Sequence, residues 1–301
     1  MNDDSFSIKS KEISSNFPPY IIAEISANHN GSLSRAKDTI LAAKKSGVDA
    51  VKIQTYTPET MTIESDNPDF FINDGLWKDK SLFELYGEAF TPFEWHSELF
   101  LFAKKNGITM FSSPFDETAV DLLESLDTPA YKVASFEIVD LPLIRYIASK
   151  NKPMLMSTGM ASLDEVGDAI ECAKSAGNNN IALFHCISNY PASIEESNLN
   201  SIQILRKEFS VQVGLSDHTV GNLASIVATS LGASMIEKHF TLNRLDGGVD
   251  SSFSNEPEEM KSLVEETKKV FSALGSDSFA RSSAEQSNKI FRRSLYFVED
   301  I

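Results

Sequence analysis

The chain has 301 residues, 42% of them hydrophobic and 23% charged, with 14 glycines and 11 prolines. That composition excludes disorder over the whole length and is enough for one large core or two ordinary domains. The formal net charge of −16 argues against nucleic acid or an anionic membrane as partner, since both require a basic field; an anionic small substrate would need a local cluster of Lys, Arg or backbone N–H groups.

The first residues, MNDDSFSIKSKEISSNF, are polar and lack the apolar segment of a signal peptide. No run approaches 18 apolar residues, so no membrane span is expected and the chain reads as cytoplasmic. Residues 1–19 are expected to cap the domain that follows. Tyr20–Ser26 is the first strand, and Ser34–Ser46 a helix with Ala36, Ile40 and Ala43 on a helical period and Gly47 as its stop. Ala50–Thr55 is the second strand. Tyr56 to about Phe90 is an irregular insertion, too long for an ordinary loop. Pro92–Asn106 is a helix with Pro near its start and Gly107 past its end. The alternation continues: strand Thr109–Ser113, helix Glu117–Leu126, strand Ala130–Ser135, helix Leu141–Ser149, strand Pro153–Thr158. Helix Leu163–Ser175 follows Ser162, an N-cap with Glu165 three residues on. Strands Ile181–Ile187, Val211–Ser216 and Ser234–Phe240 are separated by helices Leu199–Phe209 and Gly221–Leu231, and Glu256–Leu274 closes the series. Cys172 and Cys186 are too few for a disulfide framework and read as buried thiols.

These are eight strand–helix units. Their strands are rich in Val, Ile, Ala and Met, as parallel strands buried on both faces are. The expected fold is α/β, a (β/α)8 TIM barrel over 20–280. An open doubly wound sheet is the runner-up, weakened because no glycine-rich dinucleotide fingerprint follows any strand.

A barrel carries its chemistry at the carboxyl ends of its strands, and these ends are polar here. The first ends in Glu24, Ser26, Asn28, His29 and Asn30. Residues i and i+2 of a strand share a face, so Lys52 and Gln54 point together into the mouth, as do Lys132 and Ala134. Burying a lysine costs several kcal/mol unless an anion meets it. Two lysines with Ser113, Ser135 and Ser157 around them suggest a cradle for phosphate or carboxylate; the competing reading pairs them with Glu24 and Glu137. The last two strands end in Ser216-Asp217-His218 and Glu237-Lys238-His239. Two imidazoles on adjacent strand ends, with oxygen donors and no cysteine, suit Mn2+, Mg2+, Fe2+ or Zn2+ with positions left for substrate. Asp250 is a candidate contact to that centre or to substrate. His29 lacks comparable support, and His96 reads as structural.

Eight motifs lie in order: AEISANHNGS, VKIQTYTPET, FSSPFD, YKVASFE, STGM, SNYP, GLSDHTVG and IEKHFTL. Together they resemble the sialic acid synthase family, from about Tyr20 to Ile301. GLWKDKSLFELYGEAFTPFEWH and the Phe115-Asp116 pair narrow the resemblance to pseudaminic acid synthases. One departure is His185, where the family often carries lysine. The resemblance implies condensation of phosphoenolpyruvate with an open-chain amino sugar, a diacetamido-trideoxy-hexose, to give pseudaminic acid and phosphate by C–O cleavage. It implies that Lys52, Lys132, Ser135, Ser157 and Ser216 hold phosphoenolpyruvate, with Ser113 and Ser188 adding hydroxyl contacts. His218 and His239 would bind a divalent metal, Mn2+ or Mg2+, Glu24 would handle a proton, and Glu137, Tyr190, Gln54 and Asp250 would position substrates. It implies a homodimer. It also implies a small antifreeze-like domain beyond residues 281–301, which would form a linker, whose arginine reaches the partner's sugar site. A chain ending at Ile301 is then expected to lack that lid and to have impaired sugar affinity.

Alternatives remain at this level. With the same chemistry the product is N-acetylneuraminic or legionaminic acid. A metal-dependent aldolase or hydrolase would need no paired-lysine cradle and would release no phosphate from phosphoenolpyruvate. A non-catalytic sugar-binding protein is disfavoured because every position the family uses is filled.

Overall fold

A computed structural model describes residues 5–276, 278–279, 281–296 and 298–299. Residues 1–4 of the expected cap and Phe297, Asp300 and Ile301 of the expected linker lie outside the described residues. The elements in chain order are a hairpin of β1 (Phe6–Ile8) and β2 (Lys11–Ile13), then β3 (Tyr20–Glu24), α1 (Leu33–Ser46), β4 (Ala50–Thr55), α2 (Pro58–Met61), α3 (Leu82–Ala89) and α4 (Phe93–Lys105). There follow β5 (Thr109–Pro114), α5 (Glu117–Ser125), β6 (Tyr131–Val133), α6 (Leu141–Ala148), β7 (Met154–Ser157), α7 (Leu163–Ser175), β8 (Ile181–His185) and α8 (Ser201–Phe209). The series ends with β9 (Gln212–Asp217), α9 (Leu223–Ser230), β10 (Met235–His239), α10 (Pro257–Leu274) and a short α11 (Ser283–Ser287).

Strands β3 to β10 close into a parallel barrel, because β10 pairs with both β9 and β3. That closure rules out the open sheet. The period of two along each strand splits the core. Ile21, Ala23, Val51, Ile53, Val133, Met156, Leu183, Leu215 and Ile236 face the helices. Ile22, Ala50, Phe111, Leu155, Phe184 and Met235 fill the lumen, where they meet Phe6, Ile8 and Ile13 of the hairpin. The hairpin therefore plugs the amino-terminal end of the barrel. Ile8 is 1% exposed, so Ile8→Ala is expected to lower stability by about 2–5 kcal/mol, the range for emptying a buried aliphatic site. A urea titration checks this, and an unchanged midpoint would mean the hairpin is not part of the folded core.

The insertion after β4 is more ordered than its sequence suggests. It holds α2 and α3, and α3 starts at Ser81, whose hydroxyl accepts from Glu84 N–H while the Glu84 carboxylate accepts from Ser81 N–H. The same reciprocal cap opens α7 at Ser162 and Glu165, as expected. Gly214 lets β9 pack closely on β10: a Cβ there would lie 2.6 Å from the Met235 carbonyl oxygen.

Candidate active site

The lumen changes character at the carboxyl ends of the strands. Above the apolar layer, the inward positions of β3, β4, β6 and β10 are Glu24, Lys52, Lys132 and Glu237, none more than 3% exposed. Lys52 Nζ is ion-paired with Glu24 Oε2 and lies 3.5 Å from Glu237 Oε1. Lys132 Nζ is 3.4 Å from the same Glu237 oxygen and 5.0 Å from the centre of the Phe184 ring. Lys52 also donates to Ser113 Oγ at 3.2 Å, and Ser216 Oγ donates to Glu237 Oε1 at 3.2 Å. The four charges sum to zero, which is how a dry layer can hold them.

Glu237 is the member of this layer that sequence reasoning did not assign. The expected partners of the two lysines were Glu24 and Glu137. Lys52 does meet Glu24, but Lys132 faces Glu237, and Glu137 Oε2 has no hydrogen-bond partner. The signal was present: Glu237 lies two residues before His239 on one strand, so both must face the lumen.

Burial sets the protonation of the layer. It pushes Glu24 up to about 7; Lys52 opposes the rise and Glu237 adds to it. For Glu237, burial also pushes upward, but Lys132, Lys52, His218 and the Ser216 hydroxyl outweigh it and its carboxyl lies below the usual range. Burial lowers both lysines. Lys52, between two carboxylates, ends above its ordinary value; Lys132, with one at 3.4 Å, ends below. Glu24 is thus the proton buffer of the group.

The two histidines stand above this layer with ring centres 5.5 Å apart. His218 Nδ1 is 2.9 Å from the Ile187 carbonyl oxygen. A carbonyl only accepts, so Nδ1 carries the proton and Nε2 keeps its lone pair; Ser216 Oγ lies 3.4 Å from that nitrogen. Burial lowers His218 to about 4 and, together with the neighbouring His218, Lys52, Lys238 and Lys132, holds His239 well below its ordinary value. Both rings are therefore neutral, the form that binds metal. His239 Nδ1 has no hydrogen-bond partner and lies 3.7 Å from Asp250 Oδ2. An oriented lone pair and a buried orphan nitrogen fit a divalent cation. Among the described residues no group of three or more His, Cys, Asp and Glu is arranged to hold one, so the protein's share of such a site is two imidazoles.

The hydroxyl residues surround this centre. Ser135 Oγ lies 3.1 Å from Cys186 Sγ, which is 4.0 Å from Ser188 Oγ. Gly159 roofs them closely: a Cβ there would lie 2.1 Å from Ser188 Oγ and 2.7 Å from Ser135 Oγ. Ser157 ends β7 and is buried. Cys172 is a buried thiol on α7, with Sγ 3.3 Å from the Leu141 carbonyl.

Outward of the histidines lies a cavity of about 630 Å³. Gln54, Glu137, Ser188, Tyr190, His239 and Asp250 line its inner side, while Ile72, Leu76, Trp77, Leu82 and Leu85 of the insertion roof it. Tyr190 packs on His218 with ring centres 4.4 Å apart, and Phe253 packs on His239 at 4.9 Å. Trp77 Nε1 donates to the Val249 carbonyl at 2.9 Å, tying the insertion to the loop after β10. Burial raises the Glu137 carboxyl to about 7. Burial also raises Asp250, while donors from Ser26 and Ala27 pull against it. Trp77 and Phe253 were not assigned from sequence; each depends on a loop path that periodicity does not give.

The remaining histidines lie elsewhere. His96 bonds Thr55 Oγ1 at 2.8 Å and the Pro92 carbonyl at 3.0 Å outside the lumen. His29 accepts from Gly31 N–H at 3.1 Å and packs edge-on against Trp95. His185 shares the outward parity of Ile181 and Leu183, and its Nε2 lies 2.8 Å from the Ser197 carbonyl. The departure from the family's lysine at this position therefore falls outside the lumen.

Comparison with known proteins places this geometry. The chain is 48% identical over 285 residues to the pseudaminic acid synthase of Helicobacter pylori, covering 94% of this chain and 84% of that one. It is 39% identical over 284 residues to the N,N'-diacetyllegionaminic acid synthase of Campylobacter jejuni, covering 93% and 85%. Among solved structures it is similar to the N-acetylneuraminic acid (sialic acid) synthetase of Leptospira borgpetersenii in complex with citrate, with a TM-score of 0.87 at 29% identity over 97% of this chain and 98% of that one. The NeuB family model matches residues 39–279, which hold every lumen residue named above the apolar layer except Glu24; the chain belongs to the NeuB family, the sialic acid synthase family its motifs resemble.

Proposed function

We propose that this protein is a transferase that condenses phosphoenolpyruvate with an open-chain diacetamido-trideoxy-hexose to give pseudaminic acid and phosphate. The observation that carries the reading is the neutral quartet Glu24–Lys52–Glu237–Lys132 lying directly beneath two neutral imidazoles. Lys52 and Lys132 offset the carboxylate and phosphate of phosphoenolpyruvate, and Ser113, Ser135, Ser157, Ser188 and Ser216 donate to their oxygens. His218 and His239 would hold a divalent metal, Mn2+ or Mg2+, which would supply Lewis-acid polarisation of the sugar aldehyde. The vinylic carbon of phosphoenolpyruvate bonds to that aldehyde carbon while the carbonyl π pair moves onto the aldehyde oxygen, which becomes a hydroxyl by taking up a proton, and a cationic centre is left beside the phosphate-bearing oxygen. Water adds there and the tetrahedral intermediate expels phosphate. Glu24, poised near neutrality and protonated as phosphoenolpyruvate enters, gives its proton to the aldehyde oxygen as the new bond forms; the carboxylate so left stabilises the cation and then takes the proton of the water. Gln54, Glu137, Tyr190 and Asp250 position the sugar. The proposed assembly is a homodimer in the cytoplasm; no helix among the described residues is long and apolar enough to cross a membrane.

The test is an incubation with phosphoenolpyruvate, Mn2+ and a panel of amino hexoses. Phosphate release with the 6-deoxy diacetamido sugar alone is expected. Release with another sugar reassigns the product to the neuraminic or legionaminic type. Condensation or cleavage without phosphate release sinks the chemistry in favour of an aldolase or hydrolase.

The roof makes a second prediction. The aldehyde end of the sugar must reach the imidazoles, so the far end points toward Ile72, Leu82 and Leu85. An apolar pocket discriminates against an added hydroxyl by roughly 10²-fold. Ile72→Asn is therefore expected to narrow the kcat/KM ratio between 6-deoxy and 6-hydroxy sugars by about tenfold. An unchanged ratio would put the far end of the sugar elsewhere.

A further inference from the structure

The outward face of the barrel strands is largely apolar where it meets the helices, and at the ends of β9 and β10 it carries a charged pair, Asp217 and Lys238. Asp217 and Lys238 are register partners at the last rung of the β9–β10 ladder, directly after Leu215 and Ile236, which belong to the outer core. Both side chains are wholly buried, with Lys238 Nζ 3.0 Å from Asp217 Oδ2. The carboxylate is saturated. Oδ1 accepts from Thr219 N at 2.9 Å and Thr219 Oγ1 at 2.8 Å, and Oδ2 accepts from Ser225 Oγ at 2.6 Å on α9. Lys238 closes the group by donating to the Thr219 carbonyl. One ion pair thus joins β9, the turn after it, α9 and β10.

The next residue in each case is a lumen histidine, His218 just past the end of β9 and His239 as the last residue of β10. Because alternate residues face opposite sides, the outward pair at 217 and 238 fixes inward pairs on both sides of it: Ser216 with Glu237 below, and His218 with His239 above. A buried ion pair is weak as a source of stability, since well-packed apolar residues of the same volume do as well or better. Its use lies in holding one register and one geometry.

We propose that Asp217 and Lys238 are positioning residues for the two imidazoles: by locking the turn at Thr219 against β10 they fix the spacing of His218 and His239 and the Nδ1–H bond to Ile187, and so set divalent-cation affinity without touching cation or substrate. This rests on the reading of the two histidines as a metal site.

The test is the charge-neutral double variant Asp217→Leu/Lys238→Met, which preserves net charge and replaces the pair by apolar volume. It is expected to fold with a lowered melting temperature, because the Thr219 N–H, the Thr219 and Ser225 hydroxyls and the Thr219 carbonyl lose buried partners. Its Mn2+ dissociation constant, read by electron paramagnetic resonance without substrate, should rise about tenfold to a hundredfold, as for other groups that orient metal-binding histidines. In the metal-free protein, the 15N resonances of His218 should shift from the single Nδ1–H tautomer toward a mixture. An intact fold with Mn2+ affinity within about twofold of the parent and an unchanged imidazole spectrum overturns the proposal. Where the double variant does not fold, Ser225→Ala decides: it removes one donor to Asp217 from a helix outside the pair, and should weaken Mn2+ binding measurably while the protein still folds, with a modest loss in melting temperature. Unaltered binding and spectrum in that variant overturn the proposal equally. If the parent protein itself binds no Mn2+, the metal reading fails, and the imidazole spectrum alone decides whether the pair positions the rings.

Discussion

Replacing His239 by Ala is expected to cut kcat/KM at saturating Mn2+ by about 10³-fold or more while leaving the fold nearly as stable. The size follows from the sparseness of the site. On the proposed reading the two imidazoles, with ring centres 5.5 Å apart, are the protein's share of metal ligands, so removing one takes half of it. Lewis-acid stabilisation of developing charge is worth several kcal/mol, and each 1.36 kcal/mol is about tenfold in rate. The modest cost in stability follows from the hydrogen bonding of the ring: His239 is buried and neutral, with Nδ1 unpartnered, so its loss breaks no strong hydrogen bond. His218→Ala should lose similar activity but more stability, because it strands the Ile187 carbonyl that now accepts from Nδ1. The double variant should be no worse than either single one, as expected of groups that act as a unit. Chelator-stripped protein titrated with Mn2+, with urea midpoints measured alongside, separates these effects. Retention of more than a tenth of the activity by His239→Ala would remove that residue from the centre.

How much of this was legible beforehand depends on the range over which each feature is determined. The barrel was legible because its signals are local: runs such as YIIAE and AVKIQT, stop glycines, and caps such as Ser162 with Glu165. The site was legible in part because strand parity is also local. Once Lys52 is inward, Gln54 is too, and both strand-end histidines follow. What parity leaves open is which strand faces which across the lumen. Lys132 meets Glu237 on β10 rather than Glu137, which lies five residues further along its own chain in the turn after β6. That choice belongs to barrel closure, a relation between residues 105 apart in sequence. The insertion was read as irregular because its order comes from the Ser81–Glu84 cap and from the reach of Trp77 to Val249. The cap is present in the sequence as Ser-x-x-Glu, but no long apolar period follows it to mark a helix. The reach of Trp77 depends on the tertiary path alone.

The electrostatic layer yields the last and most demanding expectation: phosphoenolpyruvate binding takes up a proton at Glu24, and Glu24→Gln abolishes that uptake along with most of the turnover. In the free protein Lys52 and Lys132 are matched by Glu24 and Glu237, so a polyanion entering the layer brings uncompensated negative charge. Glu237 cannot relieve it readily, since two lysines hold its carboxyl low. Glu24, at about 7, can. An added anion raises that value further, so above pH 7 the complex holds more protons than the free protein and affinity must fall as pH rises. Well below pH 7, Glu24 is protonated in both states and contributes no slope. The limiting fall is about tenfold per pH unit between the free and bound values. Gln at this position keeps the volume, frees Lys52 from one of its two carboxylates and removes the titration. Its phosphoenolpyruvate affinity should therefore be flatter with pH than that of the parent, and the difference between the two profiles cancels the ligand's own ionisation as well as that of Glu137, which also lies near 7. Turnover should drop by about 10²–10⁴-fold, the range for losing a placed general base. Calorimetry in buffers of different ionisation enthalpy counts the protons directly. Equal proton uptake by parent and variant would assign the titration to another group and take Glu24 out of the chemistry, whereas lost uptake with full turnover would leave it as a charge balance for binding alone.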